Sequence, residues 1–207
     1  DAPSLQHSYL SLLCRSGYDA GASASRMDAG ENSINMSTDN TSSLSDFTGF
    51  DLSRAVARGV AEAGFVRPRP IQALTIPAAL AGSDVLGLAQ TGTGKTAAFG
   101  LPILERLLAD GGRGTRALVL APTRELAMQI DTEIRMLARF TRFRTVTVYG
   151  GVNAASQISK LRKRPDLIVA CPGRLLHLHQ QGHVDLTRIE ILVLDEADHM
   201  FDSGFLP

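Results

Sequence analysis

The feature that most constrains this chain is the run Ala89-Gln90-Thr91-Gly92-Thr93-Gly94-Lys95-Thr96, set between the apolar segments Asp84–Leu88 and Phe99–Leu108. It follows the pattern G-x-x-x-x-G-K-[ST], with Ala89 in place of the first glycine. Gly92 and Gly94 can adopt backbone angles closed to other residues, so successive N–H groups can turn inward as an anion nest. A helix starting at the same point adds its positive end. Gln90, Thr91, Gly92, Thr93 and Gly94 would wrap a phosphate chain. Lys95 would reach its terminal phosphates, and the Thr96 hydroxyl would ligate Mg²⁺. A turn of this kind needs a strand before it and a helix after it, which commits the chain to an α/β fold.

A second run, Ile189-Glu190-Ile191-Leu192-Val193-Leu194, is continuously apolar apart from Glu190 and ends in Asp195-Glu196. Such a run suits a strand covered on both faces. Ligands of open α/β sheets bind beyond the carboxyl ends of the strands, where these two carboxylates emerge. Asp195 is suited to hold Mg²⁺ in its outer sphere, and Glu196 to orient or deprotonate an attacking water. Lys95, Asp195 and Glu196 are therefore the candidate catalytic residues for hydrolysis of a magnesium-bound nucleoside triphosphate.

From Phe47 onward, apolar strands alternate with amphipathic helices. Leu52, Val56 and Val60 form a helical stripe, with Ser53 placed to cap its start and Gly64 its end. Further helices are expected near 71–81, 95–109, 124–139, 153–163 and 173–181, and strands at Ala117–Ala121, Thr145–Tyr149 and Leu167–Ala170. Alternation of this kind gives a parallel sheet with helices on both faces. At 44% hydrophobic residues over 207 positions, the chain can bury a sizeable core. Residues 1–46 are different. They are rich in Ser, Gly, Ala and Asn and carry six acids against two bases, so they are expected to be a disordered segment, with only His7–Cys14 able to form a short apolar turn. Met36 lies just upstream of the patterned region and is a candidate start of translation. Residues 47–207 carry 19 bases and 15 acids, a moderate excess that fits local phosphate contacts. Arg135, Arg139, Arg142 and Arg144, then Lys160, Arg162, Lys163 and Arg164, form two basic clusters that read as solvated helix ends. Cys14 and Cys171 suggest no disulfide framework, and no long apolar run or signal sequence is present. The expected setting is cytoplasmic, with no membrane partner.

Asp195-Glu196-Ala197-Asp198 spells D-E-A-D, and residues 47–207 resemble the DEAD-box RNA helicases. Phe65-Val66-Arg67-Pro68-Arg69-Pro70-Ile71-Gln72, with the isolated Phe47 upstream, is similar to the family's Q motif. Pro122-Thr123-Arg124-Glu125-Leu126-Ala127 is similar to motif Ia, Gly150-Gly151 to the glycine doublet, and Cys171-Pro172-Gly173-Arg174 to motif Ib, usually T-P-G-R. Arg69 replaces the threonine usual between the two prolines, and Cys171 the threonine of motif Ib.

The resemblance implies a RecA-like P-loop NTPase domain with ATP and Mg²⁺ as cofactors and RNA as partner. It places Gln72 on adenine, whose N6 and N7 match a side-chain amide as guanine cannot, with Phe65 stacked on the base and Arg67 beside it. It places Pro122, Thr123, Arg124, Gly150, Gly151, Pro172, Gly173 and Arg174 along an RNA backbone, where contacts carry no base sequence. The chain stops at Pro207, before the family's S-A-T motif III strand and its second RecA-like domain. It is therefore expected to be the partial ATP-binding domain of a helicase, incomplete at the C-terminus. A gap should lie in the sheet centre between the phosphate-loop strand and the D-E-A-D strand. The expected parent couples ATP hydrolysis to RNA strand separation, while this piece lacks RNA-stimulated turnover. The alternatives are a non-catalytic RNA- or nucleotide-binding fragment and a DNA-directed motor of the same superfamily.

Overall fold

The computed structural model describes residues 7–14, 46–90 and 92–202. Strand β1 spans His7–Cys14. After a 3₁₀ turn at Phe47–Phe50 come α1 (Arg54–Glu62), α2 (Pro70–Leu80), β2 (Val85–Gln90), α3 (Lys95–Ala109), β3 (Ala117–Leu120) and α4 (Arg124–Leu137). They are followed by β4 (Thr145–Val148), α5 (Ala154–Leu161), β5 (Leu167–Ala170), α6 (Pro172–Gln180), β6 (Ile191–Asp195) and α7 (Ala197–Asp202). The periodicity places α2 to α6 to within two residues, and α7 lies outside its expected helices. Pro70 and Pro172 stand in the first turns of α2 and α6, where a missing N–H costs nothing. Gly64, at φ 79°, ends α1 as expected, and the next amide, of Phe65, bonds back to the Val60 carbonyl. Ser53 does not cap α1 with its side chain. Its N–H and hydroxyl both donate to Glu105 on α3, each at 2.9 Å, a charge-assisted pair that orients the side chain toward α3.

The six strands lie in the order β2-β1-β6-β3-β5-β4. β6, β3, β5 and β4 run parallel to one another. Alternate residues feed the two faces. On one face Val85, Val119, Val169 and Val193 pack against Phe99 and Ile103 of α3 and Ile130 and Ile134 of α4. On the other, Leu118, Val148, Ile168 and Ala170 pack against Leu161 of α5 and Leu175 and Leu178 of α6. Cover on this second face stops short of β2, where Leu86 and Leu88 stay 46% and 47% exposed.

The expected gap in the sheet centre is filled. β1 lies antiparallel between β2 and β6, with Leu12 opposite Val85 on one side and Val193 on the other. The reading of residues 1–46 as disordered fails over His7–Cys14, and residues 1–6 and 15–45 lie outside the described residues. The physical reason is the one that made a gap costly. Each unpaired buried backbone group of β2 and β6 would cost about 1–3 kcal/mol, and an extended segment from elsewhere in the chain relieves that cost.

Candidate functional site

β2 delivers the glycine-rich loop and β6 delivers Asp195, but the two strands are not neighbours. With β1 between them, they stand two strand spacings apart, each about 4.8 Å. The long Lys95 side chain crosses that interval and brings Nζ to 3.7 Å from Asp195 Oδ1. Lys95 is 6% and Asp195 2% exposed. At 3.7 Å the contact is an ion pair without a hydrogen bond, and both atoms are buried with no hydrogen-bond partner among the described residues. Burial pushes the Asp195 carboxyl up to about 6; the Lys95 charge opposes the shift and Glu196 adds to it. Gly92 and Gly94 adopt φ 81° and 87°, the left-handed angles the nest requires. Glu196 does so at φ 53°, an uncommon conformation for a residue with a Cβ. It sits at the turn from β6 into α7.

Lys95, Asp195 and Glu196 open into one cavity of about 660 Å³, lined also by Phe65, Arg67 and Gln72. The structure thus assembles the three candidate catalytic residues with three of the candidate base-binding ones. Phe65 meets Phe47 edge to face at 5.8 Å and is half-buried, and Arg67 is exposed. Gln72 is fully buried and differs from expectation. Its Oε1 accepts from the Arg69 amide at 2.8 Å, and its Nε2 donates to the Gly94 carbonyl at 3.1 Å. In this arrangement the amide braces the phosphate loop, and an adenine contact would require one of these bonds to exchange. Arg69 joins the same brace by donating to the Gly92 carbonyl. Gln90 ends β2, while Thr91 lies outside the described residues.

Pattern reading missed Glu133. Its carboxylate accepts from the Thr96 hydroxyl and the Ala97 amide at the start of α3, and burial raises it above the usual carboxylate range. The signal was present: Leu126, Gln129, Glu133 and Met136 recur at helical spacing on one face of α4, and all four line the cavity. Thr93 also lies in the loop at the mouth of α3.

For a magnesium ion the donor set is sparse. Among the described residues no group of three or more His, Cys, Asp or Glu gathers as a metal site. The Thr96 hydroxyl and Asp195 Oδ1, which accepts no hydrogen bond among the described residues, nevertheless fit Mg²⁺, which keeps several waters and takes few protein oxygens.

The remaining candidate residues follow β3, β4 and β5 at the same carboxyl-end rim. Thr123 caps α4, its hydroxyl oxygen accepting from Leu126 N at 3.2 Å, and Pro122 precedes it, half-buried. Arg124 lies over the Tyr149 ring at 4.9 Å. Gly150 and Gly151 are exposed, Gly151 at φ 76°. Both terminal nitrogens of Arg174 donate to the Val152 carbonyl at 3.2 Å, so its guanidinium ties α6 to the glycine-doublet loop. Pro172 and the exposed Gly173 begin α6 behind Cys171, whose thiol is pushed up by burial and by nearby Glu125.

Residues 69–207 match the family model described as DEAD/DEAH box helicase. The chain is 48% identical over 165 residues to "ATP-dependent RNA helicase DRS1" of Chaetomium globosum, covering 78% of this chain and 21% of that protein. It is 46% identical over 162 residues to "Probable ATP-dependent RNA helicase DDX27" of Homo sapiens, covering 77% and 21%. Among solved structures, it resembles the RNA helicase Prp28 from Chaetomium thermophilum bound to ADP, with TM-score 0.71, 37% identity and coverage of 79% of this chain and 41% of that one. A DEAD box protein from Methanococcus jannaschii gives TM-score 0.69 at 33% identity, covering 79% and 45%. The chain thus spans roughly a fifth of the length of the curated relatives it matches. Family model, sequence relatives and structural neighbours agree with the loop and carboxylate geometry, and the chain belongs to the DEAD/DEAH box helicase family.

Proposed function

We propose that this chain is the ATP-binding motor part of an ATP-dependent RNA helicase. Its parent would couple ATP binding and hydrolysis to separation of RNA strands. The observation that carries the reading is the pair Lys95 Nζ and Asp195 Oδ1, buried, charged and without hydrogen bonds at the wall of a 660 Å³ cavity. Buried charges without hydrogen-bond partners are costly, and a phosphate chain with its cation would supply partners for both.

In this reading the loop amides of Gly92 and Gly94 and the start of α3 hold the phosphates. Lys95 neutralises charge on the oxygens of the outermost phosphate, and Thr96 and Asp195 would hold the cation. Magnesium, when bound, would screen the phosphate charge against an incoming nucleophile. Glu196, turned at φ 53°, orients the attacking water and accepts its proton. Phe65 and Arg67 flank the base, and Gln72 links base recognition to loop shape through its bond to Gly94. Thr123, Arg124, Gly150, Gly151, Gly173 and Arg174 sit at the strand ends, where hydroxyls, amides and guanidinium groups can track a sugar–phosphate backbone without reading bases. A second motor domain of the parent would supply the arginine that such transition states use, worth about 10³–10⁵ in rate. This chain alone should therefore bind without RNA-stimulated turnover.

Calorimetric titration of the whole chain with Mg-ATP and Mg-GTP tests the reading. Saturable binding of ATP in preference to GTP is expected. Equal binding of both would remove Gln72 from base selection, and binding of neither would leave a non-catalytic RNA-binding fragment as the better account.

A further inference from the structure

The basic excess of the folded region is not at the rim that carries the motifs. The four loops that feed β3, β4, β5 and β6, at 110–116, 138–144, 162–166 and 181–190, hold nine Arg or Lys against four Asp or Glu. That net of +5 exceeds the +4 of residues 47–207 as a whole, so everything else in the region nets slightly acidic. Both basic clusters singled out in the sequence converge here. Arg144 donates through Nη2 to the Arg164 carbonyl at 3.1 Å, and its own amide donates to Asp166 at 2.7 Å.

Little of this charge is neutralised within the fold. Arg116 is buried between Asp110 and Glu190, and Arg139 pairs with Glu62. Arg113, Arg142, Arg162, Lys163, Arg164 and Arg188 have no ion pair within 4.0 Å among the described residues. Of the acids, Asp110 and Glu190 pair with Arg116, while Asp185 accepts from the amide and hydroxyl of Thr187 at 2.9 and 2.6 Å and offsets part of the Arg188 charge beside the cavity described next.

The rim also contains a cavity of about 300 Å³, lined by Arg164, His183, Arg188, Thr115, Gly114 and Gly182 among others. Gly114 is at φ 98°, and Arg188 Nη1 lies 3.8 Å from where a Gly114 Cβ would stand, which puts that guanidinium over the bare backbone. Arg164 is at φ 51° just past the end of α5, a helix-terminating position where glycine is the usual residue. An arginine there is backbone strain retained where the guanidinium faces the cavity. Helix C-termini favour cations in general, but that tendency accounts for neither the cavity nor the strained residue.

We propose that this amino-terminal rim of the sheet is a second contact surface for the sugar–phosphate backbone of an RNA strand, with one phosphate seated among Arg164, His183 and Arg188. The inference rests on RNA being the polyanion of this chain, as read above. RNA fits better than an acidic protein. The charge is carried mainly by arginine, whose forked guanidinium suits phosphate oxygens, and none of the exposed large apolar residues lies in these loops to anchor a protein interface. A strand leaving the motif-bearing rim would be held at the opposite end, so the fragment to be separated stays tethered.

The test uses the full chain and a fluorescein-labelled oligouridine, with anisotropy followed over a salt series. Arg164→Gly with Arg188→Ala should weaken binding roughly tenfold and reduce the slope of log K against log salt by about 0.7 for each phosphate no longer neutralised. Arg164→Gly alone should leave thermal stability equal or higher, since glycine suits the left-handed angle, which separates an effect on binding from an effect on folding. If the affinity and slope of the double variant match those of the parent chain while Arg124→Ala weakens binding, the rim inference is overturned and the proposed function stands. If the unaltered chain binds no oligouridine, both are overturned. Tighter rim-dependent binding of polyglutamate than of RNA of equal charge would assign the surface to an acidic protein and overturn the inference.

Discussion

Lys95 Nζ stands 3.7 Å from Asp195 Oδ1 across the width of a strand that belongs to neither. The carboxyl so held titrates near 6, raised chiefly by burial from an ordinary value of 3.8. The folded state therefore holds this proton more tightly than the unfolded state. Its contribution to stability is greatest below about pH 4, declines as pH rises through 6, and is flat above that. At about 1.4 kcal/mol per pH unit the decline totals on the order of 3 kcal/mol. Urea denaturation in magnesium-free buffer between pH 4 and 7 should show this slope, and Asp195→Asn should remove it. Parallel curves for the two proteins would show that the carboxyl is not raised.

Gln72 makes two buried bonds to backbone, one to the Arg69 amide and one to the Gly94 carbonyl. Gln72→Ala leaves both groups unsatisfied and should cost about 2–4 kcal/mol. Gln72→Glu keeps the acceptor and loses the donor, so it should cost less at low pH, where a protonated Glu can donate again. Thermal denaturation at two pH values checks this. If Gln72→Ala melts with the unaltered chain, the side chain is free to serve the nucleotide alone.

Gly59 of α1 packs directly on α4. A Cβ there would collide with the Leu137 carbonyl oxygen. In an open helix Gly→Ala gains up to about 1 kcal/mol of propensity. Here the obstacle is backbone and cannot rotate away, so the helices must part and Gly59→Ala should destabilise by more than about 2 kcal/mol net. Chemical denaturation reads the sign directly, and a gain in stability would refute the close approach.

β1 bonds to strands on both sides, with Leu12 opposite Val85 and Val193. Proline removes a donor and is tolerated only at sheet edges. Leu12→Pro should therefore lower stability by about 2–4 kcal/mol and raise hydrogen exchange in both β2 and β6. Exchange that stays slow in both strands would place the segment outside the sheet.

The motif loops were legible because their chemistry is local. Gly92, Gly94, Lys95 and Thr96 act through neighbouring backbone, and the apolar runs into Asp195 and Ala121 carry their burial in their composition. What stayed hidden was set by partners far along the chain. His7–Cys14 sits in a polar, serine-rich surrounding, and nothing in its own residues points to strands some seventy and more residues away. Gln72 reads as a base-binding amide, yet its bonds are fixed by where α2 meets the loop. Glu133 reads as one more solvated helix acid until α4 is laid against α3. The basic clusters looked like two separate helix ends until parallel pairing of β4 with β5 brought Arg144 to Arg164.

The position of β1 also orders events in time. Its residues leave the ribosome before either neighbour exists, and β6 is made after every other strand of the sheet. Chains emerge at roughly 5–20 residues per second, so β1 waits about ten seconds or more for the second of its two partners. During that interval the early strand and β2 form at most a hairpin-like pair, and the edge of β1 that will receive β6 stays bare, a template for unwanted pairing. Completion of the sheet is thus a late, long-range closure, the kind that slows folding most. Refolding and nascent-chain capture by chaperones should respond to changes in His7–Cys14 more than to changes in any single motif loop.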